Sequence, residues 1–225
     1  MKRREILLGA MAVSFGAFRS VRSQAEVASP VPGKCVLTST GDEGPFYFDA
    51  KRVRSDIVDG SSGVPLELAM FVARERSCTP IKGARADVWH ADANGLYSGY
   101  DNQVGTGDAA AASRPSRTFL RGTQFADDSG AVIFRTIYPS WYRGRTPHIH
   151  FKVFVGGNQV ITNQIIFPED INEEVFARSP YRDHKGIRDT FNANDAILKR
   201  DKSGVLCAAV REGTGYRATL AVGVV

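Results

Sequence analysis

Apolar and polar residues alternate with a period of two along much of this chain, which is the signature of half-buried strands. In Leu66-Glu67-Leu68-Ala69-Met70-Phe71-Val72 the set Leu66, Leu68, Met70 and Val72 shares one face. Residues 84–90 repeat the pattern, with Ala84, Ala86, Val88 and His90 alternating against Arg85, Asp87 and Trp89. Residues 118–121 and 131–137 read as two more strands, joined by the turn Asp127-Asp128-Ser129-Gly130. Residues 148–155 alternate Ile149, Phe151, Val153 and Val155 with His148, His150, Lys152 and Phe154. The apolar set there should line a core and place both imidazoles side by side on the opposite face. A Gly156-Gly157-Asn158 turn leads to a return strand over 159–167, and strands over 205–210 and 216–222 close the chain. Residues 168–185 read as irregular with one helical turn near 172–176, and 189–198 as a short helix. The pattern predicts an all-β, single-domain β-sandwich of about seven to eight strands with long irregular loops.

The length of 225 residues suits one such domain. The net charge of +5 misleads, because residues 1–25 hold five basic residues against Glu5 alone, leaving 24 basic and 23 acidic residues elsewhere. Bulk charge therefore gives nucleic-acid binding no support. Residues 1–25 read as an export signal: a basic Lys2-Arg3-Arg4, an apolar run over 6–18 that is short for a membrane span, and Ser23-Gln24-Ala25 for cleavage. The Arg3-Arg4 pair loosely resembles a twin-arginine signal. The expectation is a periplasmic or secreted protein with no stable membrane anchor after cleavage, a tail over 26–39, and a folded domain over 40–225. A homo-oligomer is left open. Cys35, Cys78 and Cys207 suit an oxidising compartment; one pair can bridge, and the sequence does not say which. Residues 105–116, rich in Gly, Ala and Ser, read as a surface loop.

Candidate chemistry gathers at Trp141-Tyr142-Arg143-Gly144-Arg145-Thr146-Pro147-His148-Ile149-His150. It brings two neutral nitrogen ligands, a phenol and a fixed cation near one point. Imidazole suits several transition metals, so the pair alone does not name the metal. For His148 and His150 the bland alternative is two surface polar residues. For His90 and Asp92, strand-end hydrogen bonds or a place behind the metal ligands suit better than a second metal site. His184, between Asp183 and Lys185, reads as solvated, and Trp89 and Trp141 as packing residues.

Three motifs resemble the intradiol ring-cleavage dioxygenases, non-haem iron(III) enzymes of aromatic-compound breakdown. These are Trp89-His90-Ala91-Asp92-Ala93-Asn94-Gly95-Leu96-Tyr97, Pro139-Ser140-Trp141-Tyr142, and Arg145-Thr146-Pro147-His148-Ile149-His150-Phe151. Gln164-Ile165-Ile166-Phe167-Pro168 matches more weakly. The resemblance spans about Thr40 to Leu220. It implies Fe(3+) held by Tyr97, Tyr142, His148 and His150. It also implies a catechol-type substrate and O2 as partners, and a cis,cis-muconate-type dicarboxylic acid as product. Tyr142 is then the tyrosinate released as a base, Arg145 stabilises charge on the ring, and Gln164 assists. Gly44 and Pro45 edge the substrate pocket. Tyr138 competes with Tyr142, and Tyr100 with Tyr97. The rival readings are an exported β-sandwich that binds a small molecule or carbohydrate without catalysis, and a zinc or copper enzyme using the same histidines.

Overall fold

Two antiparallel-rich sheets face each other across one hydrophobic core in the computed structural model, which describes residues 38–100, 103, 116–201 and 204–225. The expected leader over 1–25, most of the tail, Cys35 and nearly all of the loop over 105–116 lie outside the described residues. The strands are β1 (Pro65–Arg74), β2 (Arg85–His90), β3 (Arg121–Phe125), β4 (Ala131–Ile137), β5 (His148–Val155), β6 (Asn158–Ile166), β7 (Val205–Leu206), β8 (Ala208–Glu212) and β9 (Gly215–Val224). One sheet has the order β4-β1-β9-β8 and the other β3-β2-β5-β6-β7. The fold is the all-β sandwich that the alternation predicts.

Leu66, Leu68, Met70 and Val72 of β1 meet Ala86 and Val88 of β2 and Ile149, Phe151 and Val153 of β5 in a single buried cluster. Each fully buried aliphatic or aromatic side chain contributes roughly 1.5–3 kcal/mol of transfer free energy. Strands β1 and β9 run parallel, pairing Leu66 with Tyr216 through Arg74 with Val224. Parallel neighbours need a long crossover, and here the entire second sheet lies in the chain between them. No helix among the described residues is long and apolar enough to cross a membrane.

Four elements differ from the pattern-based expectation. The strand expected at 118–121 is β3, shifted to Arg121–Phe125. Leu120 has φ +56, which ends extended backbone before Arg121. Gly122 hides the strand from any apolar pattern, yet a Cβ there would stand 2.5 Å from Ile57. The segment 205–210 divides at Cys207: β7 pairs with β6 in one sheet and β8 with β9 in the other. The helical turn near 172–176 is a helix of eight residues, α1 (Glu169–Phe176). The short helix expected over 189–198 begins only at Ala196, as α2 (Ala196–Asp201). Before it, side chains bind the backbone instead: Phe191 N donates to Asn194 Oδ1 at 2.6 Å, and Asn194 Nδ2 to the Asp189 carbonyl at 3.2 Å. Such local bonds compete with helix formation. Cys78 is disulfide-bonded and Cys207 is free and buried, so Cys207 is not part of the bridge.

Candidate metal centre

Neighbouring strands build a row across the outer face of the second sheet. Register sets Trp89 of β2 and Gln164 of β6 on either side of His150 of β5. Residues directly opposite in an antiparallel pair share a face. The Trp89 ring stacks on His150 at 5.0 Å and 7°.

Two turns bring the phenols to this row. After β2, Asp92 accepts hydrogen bonds from Asn94 N at 2.8 Å and Leu96 N at 3.0 Å, an Asx turn that reverses the chain into Tyr97. Gly95 must be glycine: its φ is +78, and a Cβ would meet the Trp141 carbonyl at 2.6 Å. Tyr97 is buried and its ring stacks on Phe46 at 4.4 Å. A second turn, closed by Arg145 N donating to the Tyr142 carbonyl at 3.0 Å, leads from Tyr142 into β5.

Four heteroatoms converge. His148 Nε2 lies 3.0 Å from His150 Nε2, 3.2 Å from the Tyr97 hydroxyl and 3.3 Å from the Tyr142 hydroxyl. His148 Nδ1 donates to the Thr146 carbonyl at 2.7 Å, which leaves the Nε2 lone pair facing the cluster. Three polar groups thus crowd one lone pair that satisfies only one donor. A cation at the point of convergence would take all four as ligands. His150 Nδ1 is buried without a partner, under Gly44. Burial pushes both imidazoles well below their ordinary pKa and so keeps them neutral. Burial pushes Tyr97 well above its ordinary value and raises Tyr142 too, against the pull of Arg145. These phenols therefore ionise only if a cation compensates them.

Arg145 lies beside the cluster, buried. Its Nε donates to Asp195 Oδ2 at 2.9 Å, its Nη2 to Gln164 Oε1, and its Nη1 to the Tyr142 hydroxyl at 3.4 Å. Burial opposes the guanidinium charge, but Tyr142 and Asp195 outweigh it and hold its pKa up. Gln164 Nε2 donates to the Asp42 carbonyl at 3.3 Å, and Arg200 of α2 holds the Asp42 carboxylate at 3.0 Å. Lys152, two residues beyond His150 on the same face of β5, pairs with Glu43. These contacts tie residues 42–46, with Gly44 and Pro45, across the mouth of the cluster.

Every site residue expected from sequence thus lies in or beside one cluster. Tyr138 does not: it sits in the main core and donates to Asn172 Oδ1 at 2.7 Å. Tyr100 donates to the Tyr47 carbonyl at 3.3 Å and stands edge-on to Phe46, outside the four converging atoms. His90 binds the Ala91 carbonyl and Thr136, and Asp92 caps its turn, as strand-end roles require. His184 departs from the solvated reading, because its ring packs on Trp141 at 4.2 Å. Sequence reasoning missed Asp195 and Arg121. Asp195 carried one signal, a carboxylate just before a helical stretch. Arg121 carried none, although it is 2 % exposed and donates to the Phe46 and Ser98 carbonyls.

The fold and the cluster together define a β-sandwich with a buried two-histidine, two-tyrosine centre, a donor set that suits a hard cation. A family described as "Dioxygenase" matches residues 42–182. The chain is similar to the intradiol ring-cleavage dioxygenase from Tetranychus urticae, with 30% identity, a TM-score of 0.78, and coverage of 84% of this chain and 94% of that one. It is also similar to the dioxygenase domain of a dioxygenase carbohydrate-binding protein fusion from Streptomyces sp. SirexAA-E, at 28% identity and TM-score 0.58, covering 83% and 97%. Among curated relatives, the chlorocatechol 1,2-dioxygenase of Rhodococcus opacus is 25% identical over 162 residues, 61% of this chain and 59% of that protein. The chain therefore spans less than two thirds of that relative's length. It belongs to the intradiol ring-cleavage dioxygenases. A non-catalytic binding module is not favoured.

Proposed function

We propose that the protein is a non-haem iron(III) enzyme that cleaves a catechol-type ring with O2, placing both oxygen atoms in a cis,cis-muconate-type dicarboxylic acid. The convergence of Tyr97, Tyr142, His148 and His150 on one point carries this reading. Two phenolates offset most of a trivalent charge, which makes the loaded site tolerable in a buried place, while zinc is rarely held by tyrosine. Bound there, iron(III) would supply a Lewis acid that binds both catechol oxygens and draws electron density from the ring.

The residues divide the remaining work. Tyr97 is locked by its stack on Phe46, so it stays. Tyr142 is half-buried in a turn and touches Arg145, so it is the phenolate free to swing out and take a catechol proton. Arg145 keeps its positive charge beside the ring and stabilises negative charge that develops on the ring carbon. Gln164 holds one edge of that guanidinium. Gly44 and Pro45 shape the mouth, and the leader-like first 25 residues support an exported enzyme.

The test is a visible spectrum of the iron-loaded protein before and after anaerobic catechol, followed by O2 uptake. The expected result is a broad tyrosinate-to-iron band that shifts with catechol, then one O2 consumed per ring opened. A colourless protein that takes up no iron would overturn the proposal.

A further inference from the structure

Arg145 has three nitrogens, and two of them are held. Nε is on Asp195 and Nη2 on Gln164. The guanidinium is a rigid planar fork, so fixing two nitrogens fixes the third. The third, Nη1, is the one that faces the Tyr142 hydroxyl. Of the two anchors only Asp195 carries charge, and it is 0 % exposed.

The two oxygens of Asp195 do different jobs. Oδ1 accepts from Ile197 N at 3.0 Å and Leu198 N at 3.1 Å, the second and third amides of α2. That is a helix cap, and a serine or asparagine would serve it about as well. Oδ2 is surplus to the helix. It reaches a segment 50 residues earlier, accepting from Arg145 Nε at 2.9 Å and from Thr146 N at 3.0 Å. Thr146 in turn offers its carbonyl to His148 Nδ1. One oxygen atom thus sets the guanidinium and steadies the residue whose carbonyl orients an imidazole. The match to the dioxygenase family ends at residue 182, before Asp195.

We propose that Asp195 is the positioning residue of the reaction, turning Arg145 so that Nη1 points at the reacting ring. The inference rests on the dioxygenase reading above, because it assumes that Arg145 acts on a ring bound beside Tyr142. Asp195 touches neither substrate nor metal ligand side chain and acts through Arg145. Paired with Asp195, the guanidinium keeps its charge and presents it through one N–H edge, so its orientation governs its effect.

Asp195→Ser separates the two jobs, since serine keeps a cap oxygen and loses the anchor for Arg145. The iron-loaded variant should keep its visible band and fold, although leaving the buried Arg145 charge without its partner lowers its unfolding temperature by roughly 10 °C. Its kcat should fall by about 100-fold, the cost of misplacing a catalytic group by roughly an ångström, while KM for catechol moves by less than about threefold. A role through Arg145 also demands non-additivity. Placed in an Arg145→Lys background, the same substitution should therefore lower kcat by no more than about threefold. Asp195→Asn, which keeps the side-chain shape, is the second variant should Asp195→Ser not fold. Several outcomes would overturn the inference: kcat near the parent value in the folded variant, band and kcat lost together, additive losses in the double variant, or unfolding of both variants, which would make Asp195 a fold residue only. An unsubstituted protein with no band and no turnover would instead overturn the dioxygenase reading.

Discussion

Strand β5 is dry on both faces, and the two faces do opposite things. Ile149, Phe151 and Val153 point inward at 0 % exposure and close the core, while His148 and His150 point outward at 2 % and 1 %. Burial does not tell these faces apart. The fate of polar atoms does. Inward, the strand has none to satisfy. Outward, His150 Nδ1 has no partner, and three groups crowd His148 Nε2. Native proteins leave few buried polar atoms unpaired. The crowding at His148 Nε2, which a bound cation would relieve, marks the outer face as the one built for a guest, and the inner face holds the fold that supports it.

One substitution on each side should separate the two roles. Tyr97→Phe keeps the ring that stacks on Phe46 and removes only the oxygen. It should abolish turnover and the visible band while leaving the unfolding temperature of the metal-free protein nearly unchanged. Phe151→Ala leaves all four donors in place but empties the core, and should cost about 3–5 kcal/mol. For a domain of this size that lowers the unfolding temperature on the order of 10 °C. Calorimetry on metal-free protein and spectra on iron-loaded protein check both. A Tyr97→Phe variant that still turns over catechol would remove Tyr97 from the donor set.

The inner face was the more legible of the two. Alternation over 66–72 and 148–155 needs only local sequence, and the strands lie there. It failed where local pattern does not decide. Gly122 carries no apolar side chain, so β3 was displaced, and residues 205–210 look continuous although Cys207 marks a change of sheet. On the outer face, Tyr142, Arg145, His148 and His150 were readable because they lie within nine positions of one another. Asp195 was not, since its partner is 50 residues away and the local pattern places it inside a helix over 189–198. Arg121 was not, because its hydrogen-bond partners, the Phe46 and Ser98 carbonyls and the Ser98 hydroxyl, are set by tertiary contact.

A third histidine refines the contrast. His90 pairs with Ile149 in register and so faces the core. There a histidine is tolerated because both nitrogens are satisfied: Nδ1 donates to the Ala91 carbonyl at 2.8 Å, and Nε2 accepts from Thr136 Oγ1 at 2.7 Å. Burial, ahead of any other influence, pushes its pKa down to about 4. The folded value thus lies below the unfolded one, near 6.5. The stability this contributes is fully present above about pH 6.5 and is lost as pH falls through about 4. The full effect is on the order of 3 kcal/mol. His90→Gln should flatten the fall of unfolding temperature between those limits. An acid profile with the parent's slope would show that His90 does not titrate this way.

The smallest expected effect tests whether the roof over His150 is part of the outer face. Gly44 has φ +71, and a Cβ added there would stand 3.1 Å from His150 Cε1. Gly44→Ala therefore meets two costs, a left-handed backbone of about 1–2 kcal/mol and a displaced imidazole. Gly60 separates them, because its φ is +80 but a Cβ would meet nothing within 4 Å. Gly60→Ala should lose a similar amount of stability and leave the iron spectrum and kcat untouched. Gly44→Ala should lose that stability and also shift the visible band and lower kcat, by roughly tenfold for a modest misplacement of one ligand. Equal spectra for the two variants would mean that the strap over 42–46 covers the centre without setting it, and that the donors are held from the strand side alone.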